Sequence, residues 1–262
     1  MARVCPLFSS SKANSTYIGG QSSGILIDAG ASYRGMLTAL NHCSIDIDAV
    51  KGVFITHEHS DHVKGLYQLQ KQRGIPIFAS SGTLEYLIHK KLLYSFDNLY
   101  EITDSPIQVA DMEVKAFHTP HDCEESLGYT VHTSDDRKIS ICTDLGEVTQ
   151  EVAANLKGSD LCLIESNYDE QMLRCNTNYP TFLKNRISSK VGHLSNTDSA
   201  EFIKTLVETG TTRIVLWHLS QNNNLPSLAS KKVLDKLENF QLGKDFTLDV
   251  APVSASGMVI AL

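Results

Sequence analysis

The chain has 262 residues, of which 42% are hydrophobic and 20% are charged, and its formal net charge is −7. This length fits one large domain or two small ones, and the hydrophobic share is ample for a buried core. The negative charge argues against a protein that coats nucleic acid without specificity, although it is compatible with a local basic patch. No apolar segment approaches the length of a membrane span, and the N-terminus does not resemble a secretion signal. We therefore expect a cytoplasmic protein with no membrane partner.

Strands and helices alternate along the first half of the chain. Apolar runs predict strands over 24–30, 50–56 and 75–79. Helical spacing of apolar residues predicts helices over 33–42 and 81–93. A further helix has Val63, Leu66 and Leu69 on one face and ends at Gly74, because glycine commonly terminates helices.

The second half has the same mixed character. It contains predicted strands over 112–117, 127–131, 138–143, 161–165 and 214–217, and predicted helices over 148–156 and 226–240. Another helix has Asn196 as its predicted N-cap and closes at Gly210. With no Gly/Ser-rich linker and no clear repeat, the sequence predicts an α/β fold of two packed sheets with helices outside, forming a single domain over 1–262.

The most informative segment is His57-Glu58-His59-Ser60-Asp61-His62, which directly follows a predicted buried strand. Imidazole and carboxylate groups are common ligands of divalent first-row metals. Two ligands one residue apart, followed by two adjacent ligands, would crowd a single ion. The spacing therefore favours two groups, each turned toward its own metal, over a polar loop that holds histidines by chance.

Each of these two sites would need further ligands from other strand ends, which layered folds bring to a common edge. The candidates, each just past an apolar run, are His118, His121, Asp144, His193 and His218. Taken singly, an Asp in such a position is most often a turn or cap residue, and a His is more often a surface group than a ligand.

Five motifs, in order along nearly the whole chain, resemble those of the metallo-β-lactamase fold. They are Leu26 to Gly30, Thr56 to His62, His121 within His-Thr-Pro-His, Thr143-Asp144, and His218. The resemblance implies a four-layer αββα sandwich with a dinuclear metal site at one edge.

Four later segments are similar to one branch of that fold, the YycJ/WalJ (VicX) branch. They are 165–169, 186–189, 192–196 and 217–223. This branch resembles the β-CASP nucleases at Glu165, His193 and His218 but lacks their large inserted domain. It is associated with 5′-to-3′ exonuclease action on double-stranded DNA, so the resemblance implies a nucleic acid substrate, expected to be DNA.

The resemblance also implies a role for each site residue. His57, His59 and His121 would hold one metal, Asp61, His62 and His218 would hold the other, and Asp144 would bridge them. Asp28 would fix a ligand imidazole without binding metal. Between His118 and His121, the second is chosen because relatives place the ligand after the Thr-Pro. By ligand type the ions could be Zn²⁺, Mn²⁺ or Fe.

The chemistry that follows is hydrolysis of a phosphodiester by a hydroxide held between two metals. Asp61 would orient the hydroxide, and His193 would contact the scissile phosphate or protonate the leaving oxygen. The implied substrate contacts are Asn14, Ser15, His193, Ser195 and Asn196. One departure lies in the loop at 9–17, where Lys12-Ala13 stands at a place that glycine commonly occupies in relatives.

Two other functions stay open on these residues. One is a carbon-centred hydrolase of the same fold, such as a thioesterase, a lactonase or a β-lactamase. The other is a non-catalytic binding module, which would be expected to have lost ligands. Possible phosphate contacts, which would otherwise be solvated helix-surface charges, are Lys64, Lys71, Arg73, Lys90, Lys91, Arg186 and Lys190.

Overall fold

The computed structural model describes residues 2–254 and 256–262. Its chain divides into two compact units. The first comprises Met1–Ala116, Cys123–Arg137 and Pro252–Leu262, and the second comprises Phe117–Asp122 and Lys138–Ala251. The single domain over 1–262 stays a prediction.

The first unit is built on a seven-stranded sheet. Its strands are β1 (Arg3–Ser10), β2 (Ala13–Gly19), β3 (Gly24–Ile27), β4 (Val50–Phe54), β5 (Ile77–Ala79), β6 (Leu99–Glu101) and β14 (Ile260–Ala261), in the order β14-β1-β2-β3-β4-β5-β6. The strands from β14 to β3 pair antiparallel, and those from β3 to β6 pair parallel. Three more strands follow along the chain: β7 (Ile107–Val109), β8 (Met112–His118) and β9 (Leu127–His132).

The helices of the first unit are α1 (Tyr33–His42), α2 (Ser60–Val63), α3 (Leu66–Arg73) and α4 (Ser81–His89), with a 3₁₀ turn at Ile47–Ala49. The predicted stop of α3 at Gly74 is confirmed, since this residue adopts the left-handed conformation at φ +62°. The helix predicted from Val63 onward is instead two short helices separated at Gly65. The Gly65 amide donates to the Ala29 carbonyl at 2.8 Å, which draws the backbone against the end of β3.

One core holds this unit together. Strand β3 is buried along its whole length, so side chains on both of its faces contribute to packing. Fully buried side chains on the inner faces of α1 and α3, including Met36 and Leu66, pack into the same cluster as Leu26 and Val53. The end of β4 is therefore surrounded by packed side chains, and the residues that follow it start from a rigid position.

The second unit contains four parallel strands, in the order β13-β12-β11-β10. They are β10 (Lys138–Cys142), β11 (Leu161–Glu165), β12 (Arg213–Trp217) and β13 (Thr247–Val250), and the helices are α5 (Gln150–Leu156), α6 (Glu170–Cys175), α7 (Thr181–Ile187), α8 (Asn196–Glu208) and α9 (Pro226–Lys236). Parallel neighbours end at the same edge of a sheet. Asp144, Glu165 and His218 therefore come out together at the carboxyl ends of β10, β11 and β12.

Several elements were not predicted from the sequence. Strand β2 was missed because it carries small polar residues in place of an apolar run, and β1 because its apolar run at 4–8 contains Pro6, a residue that is disfavoured in strands. Nearly all residues of both strands are buried. The short helices α6 and α7 were missed for want of a clear apolar period, and α7 has no buried residue. None of the helices in the described part of the chain combines the length and the apolar character that crossing a membrane requires.

The predicted N-cap at Asn196 is wrong by one residue. The Ser195 hydroxyl accepts the hydrogen bond from the Asp198 amide and caps α8. The Asn196 side chain is turned inward, where it accepts from the Ser166 hydroxyl at 2.7 Å and donates to the Asn224 amide oxygen at 2.9 Å. Ser and Asn are both good N-caps, so composition alone did not separate the two positions.

The chain approaches itself closely at Gly30, just past β3. The Gly30 amide donates to the Asn14 carbonyl at 2.9 Å, and the neighbouring Ala29 amide donates to the His62 carbonyl at 2.8 Å. A Cβ on residue 30 would run into the Asp61 carbonyl and the Asn14 amide. Only glycine fits between these two segments of backbone.

We therefore expect Gly30→Ala to lower the free energy of unfolding by about 1–3 kcal/mol, because the added methyl overpacks a rigid site. Urea denaturation followed by circular dichroism measures this change. Gly20→Ala is the matched control, since a Cβ there meets only one atom at an ordinary 3.7 Å. Equal midpoints for the two variants would contradict the assigned close approach.

Candidate metal centre

The histidine cluster of the first unit lies directly after β4, as the sequence predicted. His57 and His62 are fully buried, and their ring centroids are 4.1 Å apart. His57 Nε2 lies 3.0 Å from His59 Nδ1. The Asp61 carboxylate completes the group, with Oδ2 at 3.4 Å from His62 Nε2. Three imidazoles and one carboxylate thus converge within a few ångströms.

Asp28 holds this cluster through hydrogen bonds with His62 and Thr56. Its Oδ2 lies 2.8 Å from His62 Nδ1, and its Oδ1 accepts from the Thr56 amide at 2.8 Å. The Thr56 hydroxyl contacts Asp28 and lies 3.0 Å from His57 Nδ1. Burial raises the pKa of Asp28 above its usual range, although the charge of His62 and the hydrogen bonds from Thr56 oppose this shift.

A carboxylate that accepts from one imidazole nitrogen directs the opposite nitrogen toward a metal. In the Asp28–His62 pair, Nδ1 faces the carboxylate, and Nε2 faces Asp61. This is the contact predicted for Asp28, which fixes an imidazole and lies behind it.

Asn14 and Ser15, two of the predicted substrate contacts, are buried against the same cluster. Asn14 Nδ2 lies 3.1 Å from Asp61 Oδ2 and 3.0 Å from His62 Nε2. The Ser15 hydroxyl donates to the Asp28 carbonyl at 2.9 Å. Both side chains hold the cluster in place. Their contact with substrate stays a prediction.

A second group of potential ligands lies in the second unit. It consists of Asp144, Glu165, His193 and His218, whose ligand atoms all lie within 4.8 Å of one another. Asp144 Oδ1 is 3.5 Å from His218 Nδ1 and 3.6 Å from His193 Nδ1. The side chain of His193 is 21% exposed, whereas the other three are almost completely buried. His193 is therefore the member of this group that solvent or a substrate can reach most easily.

Glu165 organises this second group. Its Oε1 lies 2.8 Å from His193 Nδ1 and 2.9 Å from His218 Nδ1. Its Oε2 accepts from the Leu145 amide at 2.8 Å and from the Leu194 amide at 3.3 Å. One buried carboxylate thus orients two imidazoles, and in their neutral forms the Nδ1–H donors leave each Nε2 as an acceptor.

The electrostatics of this group follow from the same contacts. Burial by itself lowers the pKa of His193, but the charge of Glu165 and its hydrogen bond outweigh burial, so the pKa is raised. Burial by itself raises the pKa of Glu165, but the charge of His193 and the hydrogen bonds of His193 and His218 outweigh it and lower the pKa. An ionised Glu165 therefore stabilises the protonated form of His193.

Glu165 lies in a segment that resembles the YycJ/WalJ branch, but the sequence predicted no role for it. The signal that could have found it is a carboxylate at the end of the fully apolar run Leu161-Cys162-Leu163-Ile164. A charged residue in such a place is buried, and a buried carboxylate needs several donors.

His121 and His118 have clearly different surroundings in the structure. His121 Nε2 lies 3.7 Å from Asp144 Oδ1, and its Nδ1 lies 3.1 Å from the Gly192 carbonyl oxygen. His118 is exposed, and its backbone amide donates to the Glu151 carboxylate. The choice of His121 as a metal ligand stays a prediction.

Three of the predicted site residues have strained backbones. Asp28, Asp144 and His218 adopt positive φ angles of 61°, 52° and 56°, each just after a buried strand. A residue with a Cβ is uncommon in this region, and such strain is concentrated at functional sites. At His218 the backbone is held by Asn167, whose Nδ2 donates to the His218 carbonyl at 2.9 Å.

Ser195 and Asn196, the remaining predicted substrate contacts, are buried structural groups. Ser195 caps α8, and Asn196 belongs to a hydrogen-bonded network with Ser166 and Asn224. Asn224 Nδ2 also donates to the Ser166 and Asn167 carbonyls. This network stiffens the segment that carries Asn167, and the predicted substrate roles of Ser195 and Asn196 stay predictions.

The donor set in both units suits a divalent cation. Each group combines imidazoles, which bind metals in their neutral form, with carboxylates. Most of these potential ligands are buried and oriented by hydrogen bonds. Zn²⁺, Mn²⁺ and Fe all accept this ligand chemistry.

Comparison with known proteins agrees with this chemistry. Residues 24–219 match the family model of the Beta-lactamase superfamily domain. The chain belongs to this family. It is 34% identical over 252 residues to exodeoxyribonuclease YycJ of Bacillus anthracis, covering 92% of each chain. It is 33% identical over 260 residues to exodeoxyribonuclease WalJ of Streptococcus pneumoniae strain D39, covering 95% of this chain and 94% of that protein.

Comparison with a solved structure shows the fold of this chain. The metallo-β-lactamase fold protein YhfI of Bacillus subtilis superposes with a TM-score of 0.73 at 16% identity, over 99% of this chain and 98% of that one. The predicted family, its YycJ/WalJ branch and the α/β metallo-β-lactamase fold are thereby confirmed. Membership of the family implies divalent metal ions.

The contact between Asp28 and His62 leads to a prediction about metal affinity. In Asp28→Asn the amide cannot accept from both Thr56 and His62 as the carboxylate does, so the His62 ring loses its fixed tautomer. We expect the affinity for Zn²⁺ to fall by about 10- to 100-fold, as measured by competition with a chromophoric chelator. The exposed Asp104→Asn is the control, and equal affinities in the two variants would refute the role of Asp28.

Proposed function

We propose that this chain is a divalent-metal-dependent exodeoxyribonuclease that degrades DNA in the 5′-to-3′ direction. The observation that carries the proposal is the near full-length identity to two exodeoxyribonucleases. A carbon-centred hydrolase of the same fold is less favoured, because the curated relatives with near full-length matches are named as nucleases. A non-catalytic module is disfavoured because no predicted ligand has been lost.

The proposed metal ligands follow the sequence assignment. His57, His59 and His121 would hold one ion, and Asp61, His62 and His218 would hold the other. Asp144 would contribute to both. The two ions would be Zn²⁺ or Mn²⁺, with Fe as a third choice of the same ligand type. When bound, such ions lower the pKa of a coordinated water and neutralise charge on the phosphoryl oxygens.

Asp61 would orient the attacking water. Its carboxylate is 20% exposed, and Oδ2 is fixed by the donor Asn14 Nδ2 at 3.1 Å. A carboxylate held in this way accepts a proton or a hydrogen bond in one direction only, so the water is aligned before reaction.

His193 would protonate the leaving oxygen. The alkoxide of a phosphodiester is a poor leaving group, so a positioned proton donor lowers the barrier. Glu165 fixes the His193 ring through Nδ1 and raises its pKa, which favours the protonated form of the ring. The opposite nitrogen, Nε2, is the one left to face the substrate.

The proposal is tested with a duplex labelled at one end, with and without a 5′-phosphate, in the presence of Mn²⁺ or Zn²⁺. We expect stepwise shortening from the 5′ end that stops when a chelator is added. A thioester and lactone panel is run in parallel. Hydrolysis of that panel without digestion of any duplex would replace the proposal with the carbon-centred alternative.

In the same assay Asp61→Asn is expected to lower duplex digestion by at least about 10²- to 10⁴-fold, because the water is no longer oriented by a carboxylate. The fold should be retained, since Asn can keep the contact with Asn14, and circular dichroism checks this. Asp97→Asn, which changes an exposed carboxylate of the same unit, serves as control. Full activity in folded Asp61→Asn would end the assignment of Asp61.

The role of His193 is tested by changing the leaving group. His193→Gln should reduce duplex digestion by about 10²- to 10⁴-fold. A p-nitrophenyl phosphodiester should suffer a much smaller loss, because p-nitrophenolate leaves without a proton. The exposed His132→Gln is the control. Equal losses on the two substrates would mean that His193 does not act as the proton donor.

A further inference from the structure

A cavity of about 580 Å³ opens in the first unit, beside the histidine cluster. The lining side chains that indicate its function come from the loop after β4, from α2 and α3, and from α4 with its C-terminal turn. They are Glu58, His59, Lys64, Tyr67, Tyr86 and Lys91. We call it the Tyr67 groove. Its volume lies within the range of ligand-binding pockets. Since His59 forms part of its wall, a molecule held here would adjoin the proposed metal ligands.

Aromatic side chains stand open to solvent in and beside this groove. Tyr67 is 39% exposed and Tyr94 is 52% exposed, and their rings meet edge to face at 5.6 Å. Lys90 Nζ lies 5.5 Å from the centroid of the Tyr86 ring, and Lys71 Nζ lies 6.0 Å from that of Tyr94. Open aromatic faces flanked by cations are the elements that bind single-stranded nucleic acid, by stacking on bases and attracting phosphates.

The charge of this region is opposite to that of the chain. Residues 60–96 contain five Lys and Arg but only two Asp and Glu, whereas the whole chain has a net charge of −7. Two of these lysines, Lys64 and Lys91, line the groove itself. Among the charged side chains of the groove, Lys64 and Lys91 outnumber Glu58, which fits an anionic ligand that also has flat apolar faces.

Glu58 restricts the chemical class of ligand that the groove can bind. Its side chain is only 6% exposed, and Oε1 accepts from the Glu124 amide at 2.9 Å. Within the described part of the chain, Oε2 is buried and has no hydrogen-bond partner. A buried acceptor without a donor is costly. A carboxylate oxygen repels phosphate and only accepts hydrogen bonds, so a ligand that reaches Oε2 brings a donor, such as the exocyclic amino group of a nucleobase.

We propose that the Tyr67 groove binds one nucleotide of a single-stranded segment of the substrate next to the metal centre. The base stacks on Tyr67 and Tyr86, its phosphate interacts with Lys64 and Lys91, and the amino group of an amino-bearing base donates to Glu58 Oε2. This inference rests on the proposed function, because it takes the ligand to be a polynucleotide. It adds a binding site and a base preference.

The first test measures binding by fluorescence anisotropy, using the metal-loaded protein and a labelled phosphorothioate oligonucleotide of dC that resists hydrolysis. Tyr67→Leu and Tyr86→Leu should each weaken binding by about 5- to 100-fold, since each removes a stacking surface. Tyr67→Phe keeps the ring and should bind like the wild type. Lys64→Gln should weaken binding and reduce its dependence on salt concentration by about one phosphate contact.

Two controls separate the groove from general surface effects. Tyr100→Leu removes an exposed aromatic ring of the same unit that does not line the groove, and Lys115→Gln removes an exposed positive charge elsewhere. Both should bind like the wild type. Thermal unfolding of every variant verifies the fold.

The second test concerns Glu58. The wild type should prefer oligo-dC to oligo-dT by about tenfold, because cytosine offers an amino donor where thymine offers a carbonyl. In Glu58→Gln the amide oxygen can keep the Glu124 contact, which turns the amide NH₂ toward the groove. The preference should then fall or reverse toward dT. An unchanged ratio would remove Glu58 from the site.

The outcomes distinguish this inference from the proposed function. If the wild type digests a duplex but the Tyr67→Leu and Tyr86→Leu variants bind the oligonucleotide normally, the groove is overturned and the nuclease stands. If no duplex is digested but these variants lose binding, the groove stands and the nuclease proposal fails. A wild type that binds no oligonucleotide overturns the groove as well.

Discussion

In each unit the candidate site depends on a buried carboxylate that is hydrogen-bonded to one or two of its imidazoles. In the first unit Asp28 is held by Thr56 and His62, and in the second Glu165 is held by His193, His218 and two backbone amides. An isolated buried charge would be strongly destabilising. The same contacts that make these carboxylates tolerable fix the orientation of the rings. The same hydrogen bonds therefore stabilise the fold and orient the side chains of the candidate site.

This arrangement has a cost that appears in the backbone. Asp28, Asp144 and His218 all lie in the left-handed region, where residues with a Cβ are strained. Packing around the strand ends is what keeps them there, since β3 is buried along its whole length and β10 and β12 are buried except at their first residue. The strained residues bring side chains out at the carboxyl ends of their strands, which a regular continuation of the strand would not do.

The acidic net charge and the proposed nucleic acid substrate are reconciled by the distribution of charge. A basic stretch at 60–96 surrounds exposed tyrosines, while acidic residues prevail over the rest of the chain. Such a pattern attracts a polyanion to one place and discourages binding elsewhere. Lys64 and Lys91 indicate a binding groove because they line it together with Tyr67 and Tyr86. Charge alone would not distinguish such a groove from a solvated helix surface.

The sequence by itself determined the family, the α/β class and the candidate donors, because the His57–His62 spacing and the strand-end positions are local patterns. It did not reveal β1 and β2, which are buried by pairing with each other and with β14 and β3. Only the tertiary structure turned Asn196 inward in favour of Ser195 as the cap and gave Glu165 two imidazole partners. It alone also assembled the Tyr67 groove from separate helices. The physical reason is that burial and hydrogen bonding depend on which groups meet in space, and spacing along the chain does not contain that information.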